Sequence, residues 1–187
     1  MEYWFWTFLF FSFLGYLLEC CFAKLTGARR KNRKCFLLLP LCPVYGLGML
    51  AALSLPESWT ENFFWQAFWG GVVCTAVEFW THWLYEKVFG VYFWDYRPTK
   101  MDIDGRICLP FSIAWGLLSA LAVRVIFPAW QPICAVIPSG VTLALALLFL
   151  FDCVCSAHLL WNFHDIELLQ VKSLRSKFFH GNSGEMR

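Results

Sequence analysis

Charged side chains are scarce in this sequence, at 15% of residues, against roughly 25% in soluble domains. The segments 56–62 and 128–133 hold no lysine or arginine at all. No G-x-x-x-x-G-K-[ST] run is present, so the chain does not power itself with a nucleotide triphosphate. Neither H-E-x-x-H nor G-x-S-x-G occurs, which removes the zincin and nucleophile-elbow hydrolase readings. A net charge of +2 is too small for a nucleic-acid binder. Of nine cysteines, only Cys134 falls near the outer end of an apolar run, so no external pair exists. The others read as small packing residues or reduced thiols, not a disulfide framework.

What is abundant is apolar surface. Hydrophobic residues make up 59% of the chain and aromatics 20%, with 20 Phe and 11 Trp. A soluble core of this size cannot hide so many, whereas a bilayer solvates them. Five apolar runs stand out, at 3–23, 36–55, 63–84, 107–127 and 134–157. Each is near the ~20 residues a spanning helix needs. The expected fold is an all-α, polytopic membrane bundle over 1–160, followed by a cytosolic tail at 161–187. The first run lacks a basic leader region and a small-residue cleavage site, and it carries Glu19, so it reads as a retained helix rather than a signal peptide.

Basic residues set an orientation. Lys24, Arg29, Arg30, Lys31, Arg33 and Lys34 lie between runs one and two; Lys87, Arg97, Lys100 and Arg106 lie between three and four. Lys172, Arg175, Lys177 and Arg187 follow run five, so that only Arg124 falls elsewhere. The positive-inside rule makes that side cytosolic, with the amino terminus outside and the tail inside a plasma membrane. Trp4, Trp6, Trp59 and Trp130 then sit at the outer interface, and Trp83, Trp94 and Trp161 at the inner one.

A short pattern repeats. Four residues separate Leu39-Pro40 from Tyr45-Gly46-Leu47, and four separate Leu109-Pro110 from Trp115-Gly116-Leu117. Each follows a run with a glutamate near its inner end, Glu19 or Glu78. This makes a candidate parallel two-helix repeat about an axis along the membrane normal. Coincidence in an apolar sequence is the competing explanation.

Ionisable groups inside a bilayer are costly and usually face the bundle interior. Glu19, Glu78 and Asp152 lie at similar depth towards the cytosolic side, which points to one shared acidic cavity. Gly70, Cys74, Glu78 and His82 fall on one face of run three, and Ser12, Gly15 and Glu19 on one face of run one. Glu78 and His82 can share a proton or hold a cation; the plainer alternative is a packing stripe. Pro40 and Pro43, with Cys42 and Gly46 beside them, break run two and free carbonyls that can line the cavity; a simple proline kink is the alternative. Pro110 and Gly116 play the matching part in run four. Tyr45 and Trp115 are placed to reach the glutamates. The loop with Trp94, Asp95, Tyr96 and Arg106 suits a lid over the cytosolic mouth or a docking surface. No metal site or cofactor is expected. Arg124 is expected to snorkel to the interface.

These residues resemble a bacterial family of integral membrane proteins named Putative ABC-transporter type IV, the CmpB-like ABC transporter permeases. The resemblance rests on Gly15-Tyr16-Leu17-Leu18-Glu19, Asn32-Arg33, the stretch Pro40-Leu41-Cys42-Pro43-Val44-Tyr45-Gly46-Leu47-Gly48, and Val77-Glu78. It continues through Glu86-Lys87-Val88-Phe89, Trp94-Asp95-Tyr96, Gly105-Arg106-Ile107-Cys108-Leu109, Ser112 and Trp115-Gly116. Cys35 and Leu39 stand where the family usually has glycine, and Arg97 where it commonly has serine. The resemblance implies transport without naming a substrate. The leading expectation is a permease-like subunit that needs a separate ATPase or a homo-oligomer. A membrane-embedded enzyme acting on a lipid-linked substrate, with a carboxylate as general base, is the first alternative. A non-catalytic assembly or regulatory subunit is the second.

Overall fold

The computed structural model describes residues 2–26, 35–99 and 101–169. The basic run Arg29, Arg30, Lys31, Arg33 and Lys34, together with Lys100 and the tail lysines and arginines, lies outside the described residues. Five helices form the body. They are α1 (Glu2–Leu25), α2 (Pro43–Leu53), α3 (Phe63–Leu84), α4 (Leu109–Cys134) and α5 (Ser139–Phe163). Among these, α1, α4 and α5 are long and apolar enough to cross a bilayer. Between α3 and α4 lies a hairpin of two short antiparallel strands, β1 (Asp102–Ile103) and β2 (Ile107–Cys108), in the register Asp102 to Cys108.

Burial runs opposite to that of a soluble protein. Thr7, Ser12, Gln66, Glu78, His82, Ser119, Asp152 and Ser156 are buried, while Phe64, Trp80, Leu147, Leu150 and Phe151 are exposed. Polar groups inside and apolar side chains outside are what hydrocarbon as a solvent demands. The chain is an all-α membrane bundle.

The second apolar run differs most from the expectation. Only its second half is helical, starting at Pro43, and α2 spans roughly 16 Å at 1.5 Å per residue. Residues 35–42 are irregular. Pro40 and Pro43 have no amide hydrogen to give a helix. Three other amides of this stretch find partners outside it: Leu38 and Leu39 donate to the Asp152 carboxylate at 3.2 and 3.1 Å, and Cys42 donates to the Ser12 carbonyl at 2.9 Å. Proline also shapes the far end. Helix α4 runs on to Cys134 through a π-type turn at Ala122–Ile126, where Phe127 donates to the Ala122 carbonyl just ahead of Pro128. Helix α5 begins at Ser139, not at Cys134, because Pro138 holds the extended backbone of an N-cap.

Close backbone approach organises the bundle into two pairs. Gly46 of α2 packs on Phe8 and Ser12 of α1; Gly116 of α4 packs on Ala67 and Gly71 of α3. Phe8 and Ser12 are four apart, as are Ala67 and Gly71, and each pair is followed seven residues after its second member by a glutamate, Glu19 or Glu78. The contacts therefore correspond between the two pairs. The prolines do not: Pro110 sits in the first turn of α4, and the proline in the first turn of α2 is Pro43, not Pro40. A Cβ at Gly116 would come within 2.6 Å of the Ala67 carbonyl oxygen, a backbone atom that cannot turn away. Gly116→Ala is expected to cost about 1–3 kcal/mol. Thermal unfolding in detergent should show it as a lowered midpoint; an unchanged midpoint would mean the α3–α4 contact is looser than this.

Candidate functional site

The C-terminal halves of α1 and α3, the irregular segment 35–42, the N-terminal halves of α2 and α4, and the loop before α4 line a cavity of about 200 Å³. Glu19 enters from α1 and Glu78 from α3. Each carboxylate accepts a hydrogen bond from a tyrosine. Tyr45 Oη donates to Glu19 Oε1 at 2.6 Å, and Tyr96 Oη donates to Glu78 Oε1 at 2.8 Å. Glu78 is 4% exposed.

Local sequence explains how the tyrosines arrive. Gly15 lies one turn before Glu19, and the Tyr45 ring occupies the space a side chain would take. Only glycine leaves that room. Trp115 supports the other face of Tyr45, with ring centroids 4.7 Å apart. Tyr96 comes from the loop, stacked on Phe111 at 4.9 Å. Gly105 takes a left-handed φ of 71° and accepts the Tyr96 amide on its carbonyl at 2.9 Å, which folds the loop back over α3.

The loop is braced by the expected residues in unexpected pairings. His82 Nε2 lies 3.1 Å from the Trp94 carbonyl, and Trp94 Nε1 donates to the Arg106 carbonyl at 2.9 Å. Arg106 holds Glu86 through Nε at 3.2 Å and Nη2 at 2.9 Å, and Asp104 through Nη1 at 3.1 Å; its guanidinium also lies 5.2 Å from the Phe79 ring centre. Asp95 accepts the Arg97 amide. The Arg106 guanidinium keeps the Glu86 carboxyl below its usual range. A depressed carboxyl pKa stabilises the fold above the unfolded value, about 4.3, and that stability is lost as pH falls through the folded value. Arg106→Met should therefore lower the melting midpoint at neutral pH, with the gap to wild type closing in acid. A gap that persists unchanged through the acid range would assign it to packing on Phe79.

The candidates thus divide. Glu19, Glu78, Tyr45, Trp115, Cys42, Pro43, Trp94 and Tyr96 line the cavity. His82, Asp95 and Arg106 brace the loop beside it. Pro40, Gly46, Pro110 and Gly116 shape helix starts and contacts. Asp152 does not join the two glutamates: it stands against the backbone of 38–39, assisted by Ser156, whose Oγ lies 3.3 Å from the Leu38 amide. Cys74, Glu78 and His82 turn to three different partners, Cys74 to the Gly48 carbonyl at 3.5 Å. Sequence reasoning missed Glu86 as the partner of Arg106 and the aromatic walls Phe22, Phe36, Tyr85, Phe93 and Phe111. It also missed the pairing of Tyr96 with Glu78, 18 residues apart across a loop, for which spacing gives no signal.

A family model described as Putative ABC-transporter type IV matches residues 6–157, which contains every cavity residue. No curated protein and no solved structure matches the chain.

Proposed function

The chain belongs to the Putative ABC-transporter type IV family, and from that premise we propose that it is a permease-like membrane subunit whose acidic cavity takes up a small organic cation from the cytosolic side. One observation carries this reading: two tyrosine-held carboxylates, Glu19 and Glu78, stand in an otherwise uncharged wall rich in aromatic rings. Aromatic faces attract cations through the ring quadrupole, and carboxylates add charge and direction. An anion meets the opposite field, and a neutral solute gains only the apolar contact. The basic-loop asymmetry supports the cytosolic placement of the inner ends and of the cavity mouth. With no nucleotide-binding run of its own, the subunit works beside a separate ATPase or as a homo-oligomer.

The test is an equilibrium titration of the protein in lipid nanodiscs, followed by the fluorescence of its cavity tryptophans. Choline serves as probe and 3,3-dimethylbutanol as its uncharged isostere. Saturable binding of choline, at least about tenfold tighter than the isostere, is the expected result, a difference of about 1.4 kcal/mol. Equal binding of the two, or tighter binding of acetate, would overturn the reading. Turnover of a lipid-linked substrate by the purified chain would point to the enzyme alternative instead.

A further inference from the structure

We propose that Cys35 and Cys42 are a redox-reactive dithiol in the cavity wall, converted by a hydroperoxide to a reversible disulfide that closes a ring over residues 35–42. Three observations carry it. Cys35 Sγ lies 2.6 Å from Cys42 Sγ, within about 0.6 Å of the length of an S–S bond. Both residues line the cavity, which gives a small oxidant its route to otherwise buried sulfurs, each residue being 8% exposed. The backbone between them is not helical. That last point is decisive for reach. Seven residues of helix separate their ends by roughly 10 Å, beyond the ~7 Å that a disulfide spans between Cα atoms. Unwinding at Pro40 and Pro43 is what brings the sulfurs together. The segment is also held from outside, by Asp152 on the Leu38 and Leu39 amides and by the Ser12 carbonyl on the Cys42 amide, so little ordering is left to do on bond formation.

The chemistry balances with the peroxide as oxidant. One thiolate attacks a peroxide oxygen, the O–O bond breaks, and an alkoxide leaves to collect a proton. The resulting sulfenic acid is then attacked by the second sulfur, the S–S bond forms, and water leaves. Two thiols are oxidised, and one hydroperoxide is reduced to alcohol and water. On the cytosolic side, such a bond is a sensing element rather than a structural one, and a dithiol reductant reopens it by exchange. The closed ring fixes the wall beside Tyr45, which ties the redox state to the shape of the cavity.

The test uses the full chain in nanodiscs. The reduced protein is treated with tert-butyl hydroperoxide, blocked with N-ethylmaleimide, digested and read by mass spectrometry. The expected product is a peptide spanning 35–42 that lacks two hydrogens, carries no maleimide, and gains two maleimides when dithiothreitol precedes the block. Cys35→Ser should yield no linked peptide under the same treatment. Maleimide on both cysteines after peroxide, or Cys42 joined to any of the other cysteines, would overturn the proposal. None of these readouts depends on a bound solute, so they stand or fall apart from the cation reading.

Discussion

Replacing Asp152 with alanine is expected to destabilise the bundle by about 2–5 kcal/mol, the largest stability effect of any single change considered. Two backbone amides, those of Leu38 and Leu39, donate to the two oxygens of this carboxylate. Hydrogen bonds to charged groups contribute about 1.5–3 kcal/mol each, and a buried amide left without an acceptor adds its own desolvation cost. Ser156 lies beside Leu38 and recovers part of the loss there. Helix α5 also depends on this contact. Its outer face is widely exposed, and its other polar ties to the body include the Thr142 hydroxyl accepting from Trp6 at 2.9 Å and, just past its end, His164 Nδ1 against the Phe89 carbonyl at 2.6 Å. Asp152→Ala should therefore lower the melting midpoint and expose the amides of 36–42 to hydrogen exchange. Asp152→Asn keeps one acceptor oxygen and should lie between the two. A wild-type exchange pattern in the alanine variant would show that the irregular segment is held by other contacts.

The second large effect is on binding. The double change Glu19→Gln, Glu78→Gln should weaken choline binding by about 100-fold, since each carboxylate contributes at least about 1.4 kcal/mol to a cation held between them. Glutamine keeps the shape and still accepts from Tyr45 and Tyr96 through its carbonyl, so the melting midpoint should change little. Binding of 3,3-dimethylbutanol should not change. Glu78→Leu is a different experiment. It strips the buried Tyr96 hydroxyl of the acceptor in α3, and its cost, about 1–3 kcal/mol, should appear in stability. Full binding by the double glutamine variant would make the glutamates structural and favour the assembly-subunit alternative.

Much of the architecture was legible because it follows from single-residue physics. Apolar length marked the helices, and Pro40 and Pro43 marked the break. Gly46 and Gly116 were legible as matching positions of a repeat, but not as the close approaches to Phe8 and Ala67 that they make. The glutamates were legible as interior groups because hydrocarbon excludes them. The third carboxylate was misread on the same logic. Similar depth put Asp152 with the glutamates, but depth does not fix azimuth, and an unwound segment with unspent amides recruited it instead. The partners of Glu78, His82 and Arg106 were not legible either. They are set by a loop whose path depends on the left-handed turn at Gly105 and the insertion of Tyr96, and neither follows from periodicity. The aromatic walls were hidden by abundance, because in a chain so rich in Phe and Trp a lining ring looks like a lipid-facing one.

The central claim, that a cation binds between Glu19 and Glu78, is tested most directly by asking whether occupancy shields a group in the same wall. Cys42 lines the cavity beside Tyr45. In the reduced protein in nanodiscs, its rate of alkylation by a small maleimide should fall progressively with added choline. The midpoint should match the titration, and the double glutamine variant should show no protection in the same range. An alkylation rate that stays constant up to saturating choline would place the cation elsewhere and contradict the account.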